Sequence, residues 1–205
     1  MNRIKLGRTK VKIDELLQDA FHNIARRAQA RDIRIVLRIP ATMTPVFAEK
    51  ELLRIALDNL LENALRYTNQ NGVIEAEAEE TDHEILISVR DDGVPIDAAD
   101  HPHVFDRFVR PNFACRRRPD GLGLGLYLAN EIIMLHAGRI VLASSPEDGN
   151  MFTIHLNKPA LAIVPSSRNV GASVAAAIGH IDQHIARVGM QVAVEISQVF
   201  SRARF

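Results

Sequence analysis

The order in which two periodicities alternate constrains this 205-residue chain most. Residues 14–32 place apolar side chains at 16, 17, 20, 21, 24, 25 and 28, a helical recurrence. Residues 33–39 are β-branched and alternating, which predicts a strand closed by Pro40. A second helix is predicted from about Glu49 to Thr68, with Leu52, Leu53, Ala56, Leu57, Leu60, Leu61 and Ala64 as its buried stripe and Asn71-Gly72 as the turn beyond it. Then "VIEAEAEE" (73–80) and "EILISVRD" (84–91) alternate with period two and read as paired strands. A helix over 126–136 and two strands over 138–145 and 151–156 close the pattern, with "PEDGN" turning between the strands.

Between the two halves lies a run from Asp91 to Asp120 with no sustained periodicity, and loops of that length in a compact domain are usually functional. The charges balance, 25 basic against 25 acidic, so nothing global points to nucleic acid or an anionic membrane. Cys115 is the single cysteine, which rules out an internal disulfide and a zinc framework and fits a reducing, cytoplasmic setting. No apolar run is long enough for a membrane span, and the N-terminus lacks a signal-peptide core.

Three weak features carry chemistry. "DGLGLGLYLANEI" sets Gly121, Gly123 and Gly125 at alternate positions immediately before a helix, where free backbone N–H groups at the positive helix end suit an anion. The spacing is neither the dinucleotide fingerprint nor a P-loop. Asn59 and Asn63 stand one turn apart beside a leucine face, where buried amides need polar work such as holding a hydrated magnesium ion. Asp91, followed by Gly93, ends a strand, where a carboxylate can accept a hydrogen bond from an amino group. Each has a bland reading as well: a plain glycine loop, solvent-facing amides, ordinary turn chemistry.

In order and spacing, "DNLLENALRYT", "VRDDGVPI", "VFDRFVR" and "GLGLGLYLANEIIMLHAGRI" resemble the ATP-binding catalytic domain of sensor histidine kinases, in the wider GHKL ATPase and kinase superfamily. The resemblance covers about residues 14–157. It implies an α/β two-layer sandwich: a mixed, largely antiparallel sheet of about five strands with three helices over one face. ATP would lie between the helices and a lid. By the same resemblance Asn63 would coordinate Mg2+, assisted by Asn59, with Arg66 near phosphate and Tyr67 at the adenine pocket. Asp91 would bind the adenine amine, and Gly93 would let the backbone approach. Phe105 and Phe108 would anchor the lid, Arg107 and Arg110 would face the phosphates, and Gly121, Gly123 and Gly125 would form hinge and cradle. The lid would be "PNFACRRRPD", bringing Arg116, Arg117 and Arg118.

The family places a glutamate four residues before the metal-binding asparagine in members that hydrolyse ATP or phosphorylate serine. Here that position is Asn59, which cannot take a proton, so the resemblance favours transfer to a histidine. Pro95 stands where a second glycine is usual and stiffens the loop, and Leu122 replaces a small hydroxyl residue. His22, in "FHNIARR", lacks the context of a phosphoacceptor, so the chain looks like a catalytic half acting on a histidine in trans, with a response regulator as the further partner. The expected division is an N-terminal segment 1–13, the catalytic domain 14–157, a linker 158–172 and an amphipathic C-terminal helix 173–205. That last stripe could fold back, meet a partner or form a homodimer. The alternative to a kinase is a degenerate regulatory module.

Overall fold

The computed structural model describes residues 7–110 and 122–158. In chain order its elements are β1 (Thr9–Val11), α1 (Ile13–Gln29), β2 (Arg34–Arg38), β3 (Val46–Ala48), α2 (Lys50–Tyr67), β4 (Val73–Glu80), β5 (Glu84–Asp91), a 3-10 turn at His101–His103, α3 (Gly125–Leu135), β6 (Arg139–Ser145) and β7 (Gly149–Asn157). The expected C-terminal helix, Gly121 and the lid residues Cys115 to Arg118 lie outside the described residues.

Five strands form one sheet in the order β2-β4-β5-β7-β6. The pairing β2–β4 is parallel, and α2 lies between these strands in the chain, as a parallel crossover requires. The other pairings are antiparallel, two of them the hairpins β4–β5 and β6–β7. This is the mixed, largely antiparallel sheet that the resemblance implies, with three helices on one face.

Period two decides which residues meet those helices. On β5 the buried phase is Ile85, Ile87, Val89 and Asp91; on β7 it is Asn150, Phe152, Ile154 and Leu156. The register joins Ala76, Val89, Phe152 and Leu142 into one row across four strands. Against these rows α2 buries Leu52, Leu53, Ala56, Leu57, Leu60, Leu61, Ala64 and Leu65, and α1 buries Leu16, Leu17, Ala20, Phe21 and Ile24. Each fully buried leucine or isoleucine contributes about 1.5–3 kcal/mol, so this layer sets the position of α2.

Two arginines of the α1 region fasten the far end of α2. Arg27 forks onto Glu62, and Arg31 donates to the carbonyls of Leu65 and Thr68, the last acceptors of the helix. Glu62 is thereby engaged in an ion pair. Beyond it Asn71 takes φ 62°, the left-handed turn residue that Asn71-Gly72 predicts.

Two short strands were not anticipated. β1 and β3 pair antiparallel, Val11 opposite Val46, and bury Val11, Val46 and Ala48; three residues apiece are too few to show a period. This ribbon leads into α2 at Glu49, where α3 is tied down. His136 is buried just past α3; its Nδ1–H donates to Ile132 O at 2.7 Å, and its Nε2 accepts the Glu49 N–H at 3.0 Å. Burial pushes its pKa below the ordinary 6.5, so the ring is a neutral donor–acceptor bridge. Among the described residues no helix is long and apolar enough to cross a membrane.

Candidate functional site

One face of α2 organises the site. Asn59, Asn63 and Tyr67 recur every four residues, so they form a row along the helix spanning about 12 Å at ~1.5 Å per residue. All three are half-buried, beside the leucines. Asn59 donates from Nδ2 to Ile55 O at 2.8 Å, which turns its Oδ1 toward the start of α3. There a Cβ on Gly125 would stand 2.9 Å from Asn59 Oδ1, so glycine permits the close approach. At the other end of the row, a Cβ on Gly93 would meet Tyr67 O and Asp91 Oδ1, each at 2.6 Å. The amide-bearing helix thus touches the glycine turn at one end and the acidic strand terminus at the other.

Asp91 reaches the interior because it falls in the buried phase of β5, only 1% exposed. Its Oδ1 accepts the Gly93 N–H at 2.9 Å and the Asn150 amide at 3.0 Å. Two donors on one oxygen fix the orientation of the carboxylate. Gly93 therefore serves an internal contact as well as leaving room above the turn. Asp92, the next acid, faces the other way and accepts the N–H of Val73 at 2.9 Å, closing the start of β4.

Sequence reasoning passed over the residue that holds Asp91. Asn150 lies directly across from Asp91 on β7, and Ser144 directly across from Asn150 on β6. The Asn150 amide donates to Asp91 and to Val94 O at 3.1 Å, while its Oδ1 accepts from Ile96 N at 3.1 Å and Ser144 Oγ at 2.8 Å. Ser144 Oγ also accepts the Ile96 N–H, at 2.9 Å. The stretch 94–96, which Pro95 interrupts, is thus pinned to the sheet by two side chains. A signal existed: extending the period-two phase of Phe152, Ile154 and Leu156 back one step lands on Asn150.

The aromatic pair divides its labour. Phe105 packs edge-on against Phe152, centroids 6.2 Å apart, whereas Phe108 is 55% exposed and sits at φ 65°, an uncommon backbone state for a bulky residue. The strain there is held by a bond from Phe108 N–H to Gly123 O at 3.1 Å. Gly123 itself takes φ 67°, and a Cβ on it would stand 2.7 Å from Val109 O. Phe108 and Val109 are therefore clasped to Gly123 at the glycine turn.

Arg107 lies beside this clasp, its guanidinium 4.6 Å from the Phe108 ring centroid. Its Nε and Nη2 are buried and have no hydrogen-bond partner among the described residues. Buried donors without acceptors are costly, and an anion would satisfy them. Its charge is felt at Tyr127 on α3, whose hydroxyl is pushed up by burial and by Glu131 and drawn down by Arg107. Glu131 is itself raised by burial. Arg66 lies half-buried near the end of α2, and Arg110 at the edge of the described segment.

No group of three or more His, Cys, Asp or Glu capable of holding a metal occurs among the described residues. A cation that dehydrates reluctantly keeps most of its waters and takes only one or two protein oxygens, so a single amide would be enough to hold one. Asn63, midway along the α2 row, is the amide available for that.

Comparisons with known proteins place the fold in a family. The family described as "Histidine kinase-, DNA gyrase B-, and HSP90-like ATPase" matches residues 48–160. The alginate biosynthesis sensor protein KinB of Pseudomonas aeruginosa is 32% identical over 148 residues, which is 72% of this chain and 24% of that protein. Sensor histidine kinase CusS of Escherichia coli (strain K12) is 35% identical over 129 residues, 63% of this chain and 27% of that protein. The chain thus spans about a quarter of the length of these relatives. Among solved structures, the catalytic domain of histidine kinase ThkA aligns with a TM-score of 0.66 at 24% identity, covering 74% of this chain and 97% of that one. Full-length ShkA in complex with AMPPNP aligns with a TM-score of 0.66 over 77% of this chain and 33% of that one. With the fold, the spacing of the motifs and the family match in agreement, the chain belongs to the histidine kinase-, DNA gyrase B- and HSP90-like ATPase family.

Proposed function

We propose that the chain binds Mg-ATP along the Asn59–Asn63–Tyr67 row and donates the γ-phosphoryl group to a histidine supplied in trans, by another chain or by a dimerisation domain. A response regulator would then receive the phosphoryl group. The observation that carries the reading is that α2 touches Gly125 at Asn59 and Gly93 at Tyr67. The base lies at the Asp91 end, with Tyr67 bordering it, and the triphosphate at the glycine end.

The chain's residues divide the work. Asp91, held by Gly93 and Asn150, accepts from the exocyclic amine of adenine. Gly123 and Gly125 leave room for phosphate oxygens at the α3 N-terminus. Arg107, whose Nε and Nη2 are buried without partners among the described residues, neutralises phosphate charge together with Arg110 and Arg66. Asn63, with Asn59 beside it, offers a ligand for the magnesium ion, which when bound neutralises charge on the β- and γ-phosphates. The acceptor histidine nitrogen attacks the γ-phosphorus; its bond forms as the bridging bond to the β-phosphate breaks, and ADP leaves. Asn59, standing where hydrolysing members carry a glutamate, cannot accept a proton from water, which disfavours hydrolysis. Phe105, packed on Phe152, and Phe108, bonded to Gly123, brace the glycine turn at the phosphate end.

Calorimetric titration with a non-hydrolysable ATP analogue, with and without magnesium, tests this. Micromolar binding that Asp91→Ala abolishes and Asn63→Ala uncouples from magnesium is expected. Absent or millimolar binding, unchanged by either variant, leaves the regulatory module, in which the pinned stretch around Pro95 no longer admits a base.

A further inference from the structure

Four polar or charged residues are buried among the described residues: Thr68, Asp91, His136 and Asn150. Three have their partners accounted for above. Thr68 does not: it is 0% exposed, and its Oγ1 is buried without a hydrogen-bond partner. Its backbone is fully used, the N–H by Ala64 O at 2.9 Å and the carbonyl by Arg31 at 2.8 Å. The hydroxyl is therefore the unspent group.

Its place in the fold says where it acts. The residue before it, Tyr67, sets its carbonyl against Gly93; the residue after it, Asn69, donates to Asp92 O at 3.2 Å. Thr68 is thus held beneath the Asp91–Gly93 turn. Its Cγ2 faces Gly72, 2.7 Å from where a Cβ there would stand, so staggering about Cβ turns the hydroxyl away from Gly72. A buried hydroxyl without an acceptor is a net cost, and valine would fill the same volume without it.

We propose that Thr68 is a positioning residue of the base-binding end: its hydroxyl completes the polar corner behind Asp91, directly or through one buried water, when an adenine nucleotide is bound. This rests on the nucleotide-binding reading above. The hydroxyl is idle in the free protein and engaged in the complex, so stability and affinity respond to its removal in opposite senses.

The test uses the 205-residue chain and its Thr68→Val and Thr68→Ser variants, with melting temperature read without ligand and affinity for a non-hydrolysable ATP analogue read by calorimetry. Thr68→Val is expected to melt at the same temperature or higher and to bind about fivefold more weakly, the size of one neutral hydrogen bond. Thr68→Ser is expected to restore the affinity. Equal affinity in wild type and Thr68→Val overturns the proposal while leaving nucleotide binding intact. A Thr68→Val that loses affinity and melting temperature together also overturns it, because the hydroxyl is then structural. No binding by wild type overturns the nucleotide-binding reading and this proposal together.

Discussion

Replacing Asn150 by alanine isolates the contribution of the cross-strand polar row to the fold. The amide makes four hydrogen bonds while 3% exposed, but they are not equally dear. Ile96 N keeps Ser144 Oγ at 2.9 Å, Asp91 Oδ1 keeps Gly93 N at 2.9 Å, and Val94 is 40% exposed, so its carbonyl can turn to water. What is lost is the amide-to-carboxylate bond, about 1.5–3 kcal/mol, and the short acceptor for Ser144, ~1 kcal/mol at most because its hydroxyl keeps Ile96 O at 3.5 Å. The expected cost is therefore about 2–4 kcal/mol, out of the ~5–15 kcal/mol that holds a domain together. Urea unfolding followed by far-UV circular dichroism suits a chain with no tryptophan. With a slope of ~2 kcal/mol per molar, the midpoint should fall by about 1–2 M. A double-mutant cycle with Ser144→Ala should show a coupling of about 0.5–1.5 kcal/mol, since the two side chains bond each other and share Ile96 N. A midpoint within ~0.2 M of wild type, or additive single variants, would refute the row as a structural element.

Other perturbations follow from the same geometry. His136 is held neutral by burial, so above pH 6.5 both folded and unfolded forms are deprotonated and contribute no pH dependence; below it the unfolded chain binds the proton first, and stability falls by up to ~1.4 kcal/mol per pH unit until the folded ring also titrates. His136→Gln should flatten that acid limb between pH 7 and 5 relative to wild type, and an unchanged slope in urea midpoints would contradict the neutral bridge. Gly123→Ala forces a side chain into φ 67° against Val109 O and should cost about 1–3 kcal/mol in thermal or urea unfolding. Gly125→Ala meets a side-chain oxygen of Asn59 and should cost less; a reversed order would undermine the clasp. Arg107→Met, which keeps length and removes charge, should weaken binding of the ATP analogue by about tenfold or more, leaving adenosine affinity unchanged. Equal losses for both ligands in calorimetry would remove Arg107 from the phosphate end.

What could be read without coordinates is what local periodicity encodes. The alternation of 73–80 and 84–91 returned β4 and β5 with the bounds seen in the fold, and the leucine stripe returned α2 within a residue, because one buried face leaves its period in the sequence. The glycine run, the asparagine pair and Asp91 were legible as residue types at characteristic spacings, and the family match spans the stretch that carries them. β1 and β3 were not, being three residues long and stabilised by each other across 35 residues of chain.

Other features belong to contacts between distant segments, which leave no mark on local pattern. That β2 pairs parallel with β4 depends on where α2 packs. That Asp91 and not Asp92 is the inward acid follows from strand phase, but that Asn150 and Ser144 stand beside it is decided by register between β5, β7 and β6. Phe105 and Phe108, alike in sequence, part company because only one finds Phe152, while the other is drawn out at φ 65° by Gly123. Residue identity and spacing determined which chemical groups the chain carries; burial and pairing across the sheet decided which of them meet, since hydrogen bonds and close packing act at angstrom range whatever the separation along the chain.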